Sequence, residues 1–129
     1  MSSEQKSIVT TNVDNSKSQG YNGWSTNGGN NTQDKAFLLS YAEAGKYFND
    51  GNPRMCVPTE YAIKQGAWID SNYQIEGKAT CWWWMRSPAH NQDIATLVCP
   101  SGSYSTDSVS SSNYAVRPAI WVDLGSGVF

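Results

Sequence analysis

Between Cys81 and Pro88 the chain reads Cys81-Trp82-Trp83-Trp84-Met85-Arg86-Ser87-Pro88, and no other stretch restricts its fold as tightly. In a strand three adjacent indoles alternate between faces. Two of them are expected in the core or packed on a sheet. The third is free to be exposed, where stacking on a sugar is open to it as well as plain core filling. A second stiff stretch, Ala115-Val116-Arg117-Pro118-Ala119-Ile120-Trp121-Val122, follows later. The 26 residues between the two, Ala89 to Tyr114, are small, mostly neutral and rich in Ser. A rigid frame around a permissive insert keeps scaffold and recognition residues apart.

With 129 residues the chain holds one domain with a real core, and its 12% aromatic content supplies large side chains to fill it. Charged residues are only 16% of the total, and 9 basic against 11 acidic side chains leave a net charge of −2. No basic run exists, so a nucleic-acid partner is not expected. No apolar run approaches a membrane span, so insertion into a bilayer by this segment is not expected either. The start, Met1 to Lys6, has no apolar stretch of the signal-peptide kind. The three cysteines, Cys56, Cys81 and Cys99, cannot all pair with one another, no C-x-x-C occurs, and there is one His. No metal site and no cofactor are therefore expected, and Cys56 and Cys81 read as small buried hydrophobes.

Along the chain, Ser3 to Thr10 predicts a short helix capped by Ser3, and the Asn, Gly, Ser and Thr of Asn12 to Gln33 predict loop, anchored by Tyr21 and Trp24. Ala36 to Leu39 reads as a buried strand. Ser40 with Glu43 three residues later forms a capping box for a helix through Phe48, ended at Asn49 to Pro53. A second helix is expected from Thr59 to Gln65, with Tyr61, Ala62 and Ile63 facing inward and Gly66 ending it. Beyond Gly66 the pattern turns to β. Trp68-Ile69, Tyr73 to Ile75, Thr80 to Met85, Ile94 to Val98, Tyr104 to Ser110 and Val116 to Val122 are the expected strands, with a turn at Gly102 and Pro118 at a bulge or edge. Helices followed by antiparallel strands make an α+β domain.

Three motifs stand in order: Asp34-Lys35-Ala36-Phe37-Leu38-Leu39-Ser40-Tyr41-Ala42-Glu43-Ala44, then Arg54 to Ala62 in the form R-x-x-x-P-T-x-Y-A, then Trp83-Trp84-Met85-Arg86-Ser87-Pro88 with Ala115-Val116-Arg117-Pro118-Ala119. Together they resemble a family of bacterial and phage domains with a W-W-x-R-S-P … G-V-R-P-A signature. The resemblance implies a C-type lectin-like fold, two helices packed on a small twisted antiparallel sheet, in the branch that holds formylglycine-generating enzymes. It divides the chain into a loop-rich segment 1–33 and a lectin-like domain 34–129 with the recognition insert 89–114 exposed. An upstream segment with a Leu-Arg-Trp-Leu motif, usual in such proteins, is absent, which implies a truncated or excised domain. Some proteins with this signature are variable proteins of diversity-generating retroelements, whose randomised codons cannot produce Trp, Lys, Glu, Gln or Met. Between Ala89 and Tyr114 only Gln92 belongs to that excluded set.

Arg86 and Arg117 flank the insert, either as an anion-binding pair or, the favoured reading, as forks that pin loops through backbone carbonyls and carboxylates. None of the five prolines sits in a Glu-Pro-Asn or Gln-Pro-Asp context, and Asp93 and Asp107 are the only carboxylates of the insert, so calcium-dependent sugar binding is not expected. The insert carries seven Ser between Ser101 and Ser112, a composition either of a solvated loop or of an antibody-like contact surface. Val98 and Val109 are assigned to the core. The expected activity is non-catalytic recognition of a protein or glycan ligand, by a hypervariable surface displayed outside a bacterial cell or on a phage. The candidate contacts are His90, Asn91, Asp93, Thr96, Leu97, Cys99, Ser101, Ser103, Tyr104, Ser105, Asp107, Ser110, Ser112, Asn113 and Tyr114. Two rivals stay open. A carbohydrate-binding or adhesion module of fixed specificity would show exposed Trp beside a shallow groove. An oxidase similar to formylglycine-generating enzymes would bring Cys81 and Cys99 together.

Overall fold

The computed structural model describes residues 7–16 and 20–126, with the side chain of Ser126 excepted. Its architecture is mostly β. Among the described residues seven strands form three small antiparallel sheets: β1 (Thr11–Val13) with β2 (Thr32–Asp34), β3 (Ile69–Ile75) with β4 (Lys78–Cys81), and β5 (Trp83–Pro88), β6 (Ile94–Val98) and β7 (Tyr104–Ser108) in the order β5-β6-β7. Between the first two sheets lie three short helices, α1 (Tyr41–Tyr47), α2 (Gly51–Arg54) and α3 (Glu60–Lys64). The expected α+β, C-type lectin-like arrangement of two helices on one sheet is thereby overturned. The helix signals were real but their apolar faces are minimal: α1 buries only Ala44, and α2 and α3 bury nothing.

Local chemistry sets the helix ends. Ser40 Oγ accepts from Glu43 N at 3.1 Å, and Ser40 N donates back to Glu43 Oε1 at 2.8 Å. This reciprocal cap is worth about 1 kcal/mol and starts α1 at the expected residue. Thr59 Oγ1 accepts from Ala62 N at 3.1 Å to cap α3, and Gly66, with φ +99°, follows its end. The Asn49–Pro53 stretch, expected only to stop α1, opens a further helical turn capped by Asp50, whose Oδ1 accepts from Asn52 N at 2.8 Å. Tyr61 and Ile63, expected to face inward, are exposed, Tyr61 to 73%.

The core lies under the three-stranded sheet. Trp83, Met85 and Val98 are buried with Ala44, and Tyr41, Phe48, Cys56, Tyr104 and Ala115 pack around them. Strand alternation explains the set: along β5, Trp83, Met85 and Ser87 are buried while Trp84, Arg86 and Pro88 are half-buried. The Trp83 indole N–H donates to Arg54 O at 2.9 Å, which satisfies its one polar atom.

The expected single strand Thr80–Met85 changes sheets at Trp82. Cys81 pairs with Ile69 of β3, and Trp83 pairs with Val98 of β6. Between them, Trp82 O accepts from Ala115 N and Trp84 N donates to Ala115 O, so the chain is held by a third segment at the crossing. Trp68-Ile69 and Tyr73–Ile75, expected as separate pieces, meet in the one strand β3, with Trp68 just before its first residue. Val116–Val122 forms no strand. It touches its neighbours through isolated bridges, Phe37 with Ala119 and Ile8 with Val122, because Pro118 has no N–H to extend a ladder. Ala36–Leu39 likewise is not a buried strand: Phe37 alone is bridged, and the next two residues, Leu38 and Leu39, are half-buried and lend their carbonyls to Arg86.

The stretch 12–33, expected as loop, contributes to β1 and β2. Tyr21 and Trp24 do anchor the loop between those strands: their rings meet edge to face at 5.7 Å, and Tyr21 also packs on Tyr41 and Tyr104. Of the expected helix Ser3–Thr10, residues 3–6 lie outside the described residues, and Ile8 is bridged in extended fashion to Val122.

Candidate functional site

The Ala89–Tyr114 segment is not a uniform surface loop. Its middle is β6, the central strand of the sheet, where Thr96 and Leu97 are 0% and 1% exposed. Both were expected as ligand contacts, and both are corrected to interior positions, since a central strand is covered on both faces here. Val98 is core as expected, whereas Val109, expected in the core, is 57% exposed because it lies in the turn after β7.

The other candidates fall into three groups. His90, Asn91 and Asp93 are exposed in the β5–β6 connection, and Ser110 and Ser112 are exposed after β7. Val109 N donates to Asp93 O at 3.0 Å, which draws these two turns into one tip. Beside the tip a cleft of about 330 Å³ is lined by Asn27, Gly28, Gly29, Gln92 and Val109 among others. The second group is the β6–β7 turn. Cys99 and Ser101 are half-buried there, Ser103 is exposed, and the Ser101 and Ser103 hydroxyls share a hydrogen bond of 2.8 Å. Tyr104 and Ser105 follow on β7, half-buried. Tyr104 serves the frame: its ring meets Tyr41 at 4.6 Å and lies under the Arg54 guanidinium at 4.6 Å. Burial pushes its phenol above the usual range.

The third group, Asp107, Asn113 and Tyr114, joins a cluster of aromatic rings. Tyr114 Oη donates to Asp107 Oδ2 at 2.5 Å, and Ser111 Oγ donates to the same oxygen at 3.2 Å. The bond to the carboxylate pushes the Tyr114 phenol up to about 12 and holds Asp107 below the usual carboxylate range. With its hydroxyl pinned, the Tyr114 ring is met by Trp84 at 5.1 Å, Trp68 at 6.0 Å and Trp82 at 6.3 Å. Trp68 and Trp82 also meet edge to face, and Trp68 N donates to Asn113 O at 2.8 Å. Trp68 is nonetheless 53% exposed. A groove of about 320 Å³ runs between α3 and this cluster. Tyr61, Gln65 and Thr59 stand on one wall, Ser112, Tyr114 and Val116 on the other, and Ala67, the residue before Trp68, lines it as well. Among the described residues no charged side chain lines the groove.

Sequence reasoning placed Ser112 and Tyr114 at a site but missed Tyr61 and Gln65. The signal was present. Successive helical residues point about 100° apart, so Tyr61, Ala62 and Ile63 cannot all face inward.

The flanking arginines are structural forks. Arg86 pairs with Glu43, donates to Leu38 O at 2.8 Å and Asn15 Oδ1 at 3.0 Å, and so ties β5 to α1 and the N-terminal segment. Arg117 lies over Trp83 and Phe48 and donates to Arg54 O at 3.3 Å. Cys81 N donates to Cys56 O at 2.9 Å, whereas Cys99 N donates to Ser103 O at 2.8 Å in another part of the fold. Among the described residues no three His, Cys, Asp or Glu converge on a metal-sized position, and no helix is long and apolar enough to cross a membrane.

Residues 1–124 match the model of one protein family, described as "Domain of unknown function (DUF6273)". No curated protein and no solved structure matches the chain.

Proposed function

The chain belongs to the DUF6273 family, and from that premise we propose that it is a non-catalytic recognition module whose groove between α3 and Tyr114 takes a neutral glycan. The observation that carries this reading is the pairing of an uncharged groove with the aromatic cluster behind its Tyr114 wall, where Trp68, a half-exposed indole next in sequence to the groove residue Ala67, is braced edge-on by Trp82 and Tyr114. An aromatic face complements the C–H face of a sugar ring, and a rigid one loses little entropy on binding. The Thr59, Gln65 and Ser112 side chains supply donors and acceptors for sugar hydroxyls, and walls of neutral side chains disfavour anionic ligands.

The test is calorimetric titration of the full chain with neutral hexose and N-acetylhexosamine oligosaccharides chosen from an array. Trp68→Ala is expected to weaken binding at least about tenfold, a loss typical of an aromatic hot spot. Trp121→Ala, also at an exposed indole but in another part of the chain, is expected to bind as the parent does. Absence of any neutral-glycan binding, or parental affinity in Trp68→Ala, removes the reading.

The exposed tip favours a second reading, in which a retroelement diversifies the surface and the partner is a protein or glycan outside a cell or on a phage. His90, Asn91, Asp93, Ser110 and Ser112 are exposed and stand clear of the buried core set. A reverse transcriptase gene nearby, with a near-duplicate of the coding segment for residues 83–120 differing at adenines, supports it, and a genome lacking both removes it.

A further inference from the structure

Cys56 and Cys81 are far apart in sequence but adjacent in the fold. Cys81 N donates to Cys56 O at 2.9 Å, a direct backbone bond of the kind that joins neighbouring strands and sets the two residues side by side. Both are reduced in this structure. They differ in access: Cys81 is 0% exposed, whereas Cys56 is half-buried on the short connection between α2 and α3. They differ in acidity too. The neighbouring Cys81 thiol, helped by the Arg117 guanidinium and opposed by burial, holds Cys56 below the usual thiol range, and the same proximity, with burial, pushes Cys81 up. An accessible thiolate beside a buried thiol is the arrangement of an attacking and a resolving cysteine.

We infer that Cys56 and Cys81 are a redox modification site, which a low-molecular-weight disulfide such as oxidised glutathione closes into an intramolecular disulfide. The Cys56 thiolate attacks one sulfur of that disulfide, forms a mixed disulfide and expels one thiolate. Cys81 then loses its proton and attacks Cys56 Sγ, and the second thiolate leaves. Two protein thiols are oxidised by two electrons, and the two released thiolates are protonated by the protons the protein has lost. The closed loop, residues 56–81, contains α3 with Tyr61, and Gln65 just beyond it, so the crosslink braces one wall of the groove without depending on what the groove binds. Cys99 stays outside the pair, with its thiol raised by burial.

The folded full chain is incubated with oxidised glutathione, its free thiols are alkylated, and the intact mass and peptide map are read. The expected product is lighter by two hydrogens before alkylation, carries a peptide pair linked through Cys56 and Cys81, and has Cys99 alkylated. Dithiothreitol reverses it, and the midpoint of thermal unfolding rises by roughly 5 °C in the crosslinked form. Cys99→Ser keeps the crosslink, and Cys81→Ser retains glutathione on Cys56. If Cys81→Ser does not fold, the peptide map of the parent decides alone. Alkylation of both Cys56 and Cys81 after oxidation, or a crosslink that contains Cys99, overturns the inference.

Discussion

Single atoms in the Ser-rich segment show which of its residues serve the frame. Thr96 Oγ1 is fully buried and has no hydrogen-bond partner among the described residues. A stranded hydroxyl costs the fold its lost hydration, while its near-isostere Val costs none. Thr96→Val is expected to raise the unfolding free energy by about 1 kcal/mol in denaturant titration. A decrease would mean that the hydroxyl has a partner. Tyr114 is the opposite case, a hydroxyl with a strong acceptor. The Asp107 carboxylate holds the phenol at about 12 by accepting a hydrogen bond from it and opposing the charge it would gain on ionising. Asp107→Asn removes the charge, so ultraviolet titration of the phenolate, with Tyr114→Phe as the subtraction blank, is expected to show Tyr114 ionising nearer the ordinary value of about 10. The same substitution loosens the ring that braces Trp68 and is expected to weaken glycan binding without abolishing it.

Among the elements, α1 carries the clearest pH signature. Burial pushes Glu43 up, but Arg86 and the Ser40 backbone N–H outweigh it, and its carboxyl ends below the usual range. A depressed folded-state value adds stability that is fully present above the unfolded value of about 4.3 and is lost as pH falls through the folded value. Glu43→Gln can still make the capping box but has no charge to offer Arg86. The stability gap between parent and Glu43→Gln is therefore expected to be largest near neutral pH and to close as the solution is acidified, as followed by urea midpoints. A gap that does not change with pH would show that the ion pair adds nothing. This element was legible in the sequence, because caps act through residues three apart. So were β6, Gly102 and β7: at φ +85° a Cβ on Gly102 would collide with the Gly51 carbonyl, and the turn admits no other residue. What was not legible depends on distant partners. Nothing within Thr80–Met85 announces that Ala115 will grip the chain at Trp82 and send its two halves to different sheets. Val116–Val122 has strand composition, yet Arg117 reaches to the Arg54 carbonyl and Pro118 cannot donate, so neighbours pair with it only singly.

For the molecule as a whole, the tryptophan-rich frame and the Ser-rich segment are not separate parts. Trp84 faces Leu97, Leu97 faces Ser105, and Trp83 faces Val98, so the segment supplies two of the three strands in its main sheet. Only its turns are free of that duty. The tip at His90, Asn91, Ser110 and Ser112 is exposed, and the main-chain bond from Val109 N to Asp93 O, which persists whatever side chains stand there, joins its two turns. The side-chain contacts there are few and local: Asn91 Oδ1 accepts from Asp93 N, Ser110 shares a bond with Ser108, and the His90 ring meets Trp24. Freedom to vary is thus set by position in the sheet and not by composition, although Thr96 and Ser110 look alike in a sequence. A variant with His90, Asn91, Ser110 and Ser112 all replaced by Ala is expected to unfold within about 1 kcal/mol of the parent, as surface changes do. Leu97→Ala, a single change in the same segment, is expected to cost about 3 kcal/mol, because a central strand closed on both faces cannot collapse around the cavity. Chemical denaturation of the two variants side by side measures the contrast. Equal losses would show that the tip, too, is part of the structural frame, and would remove the ground for treating it as a surface that can change its identity.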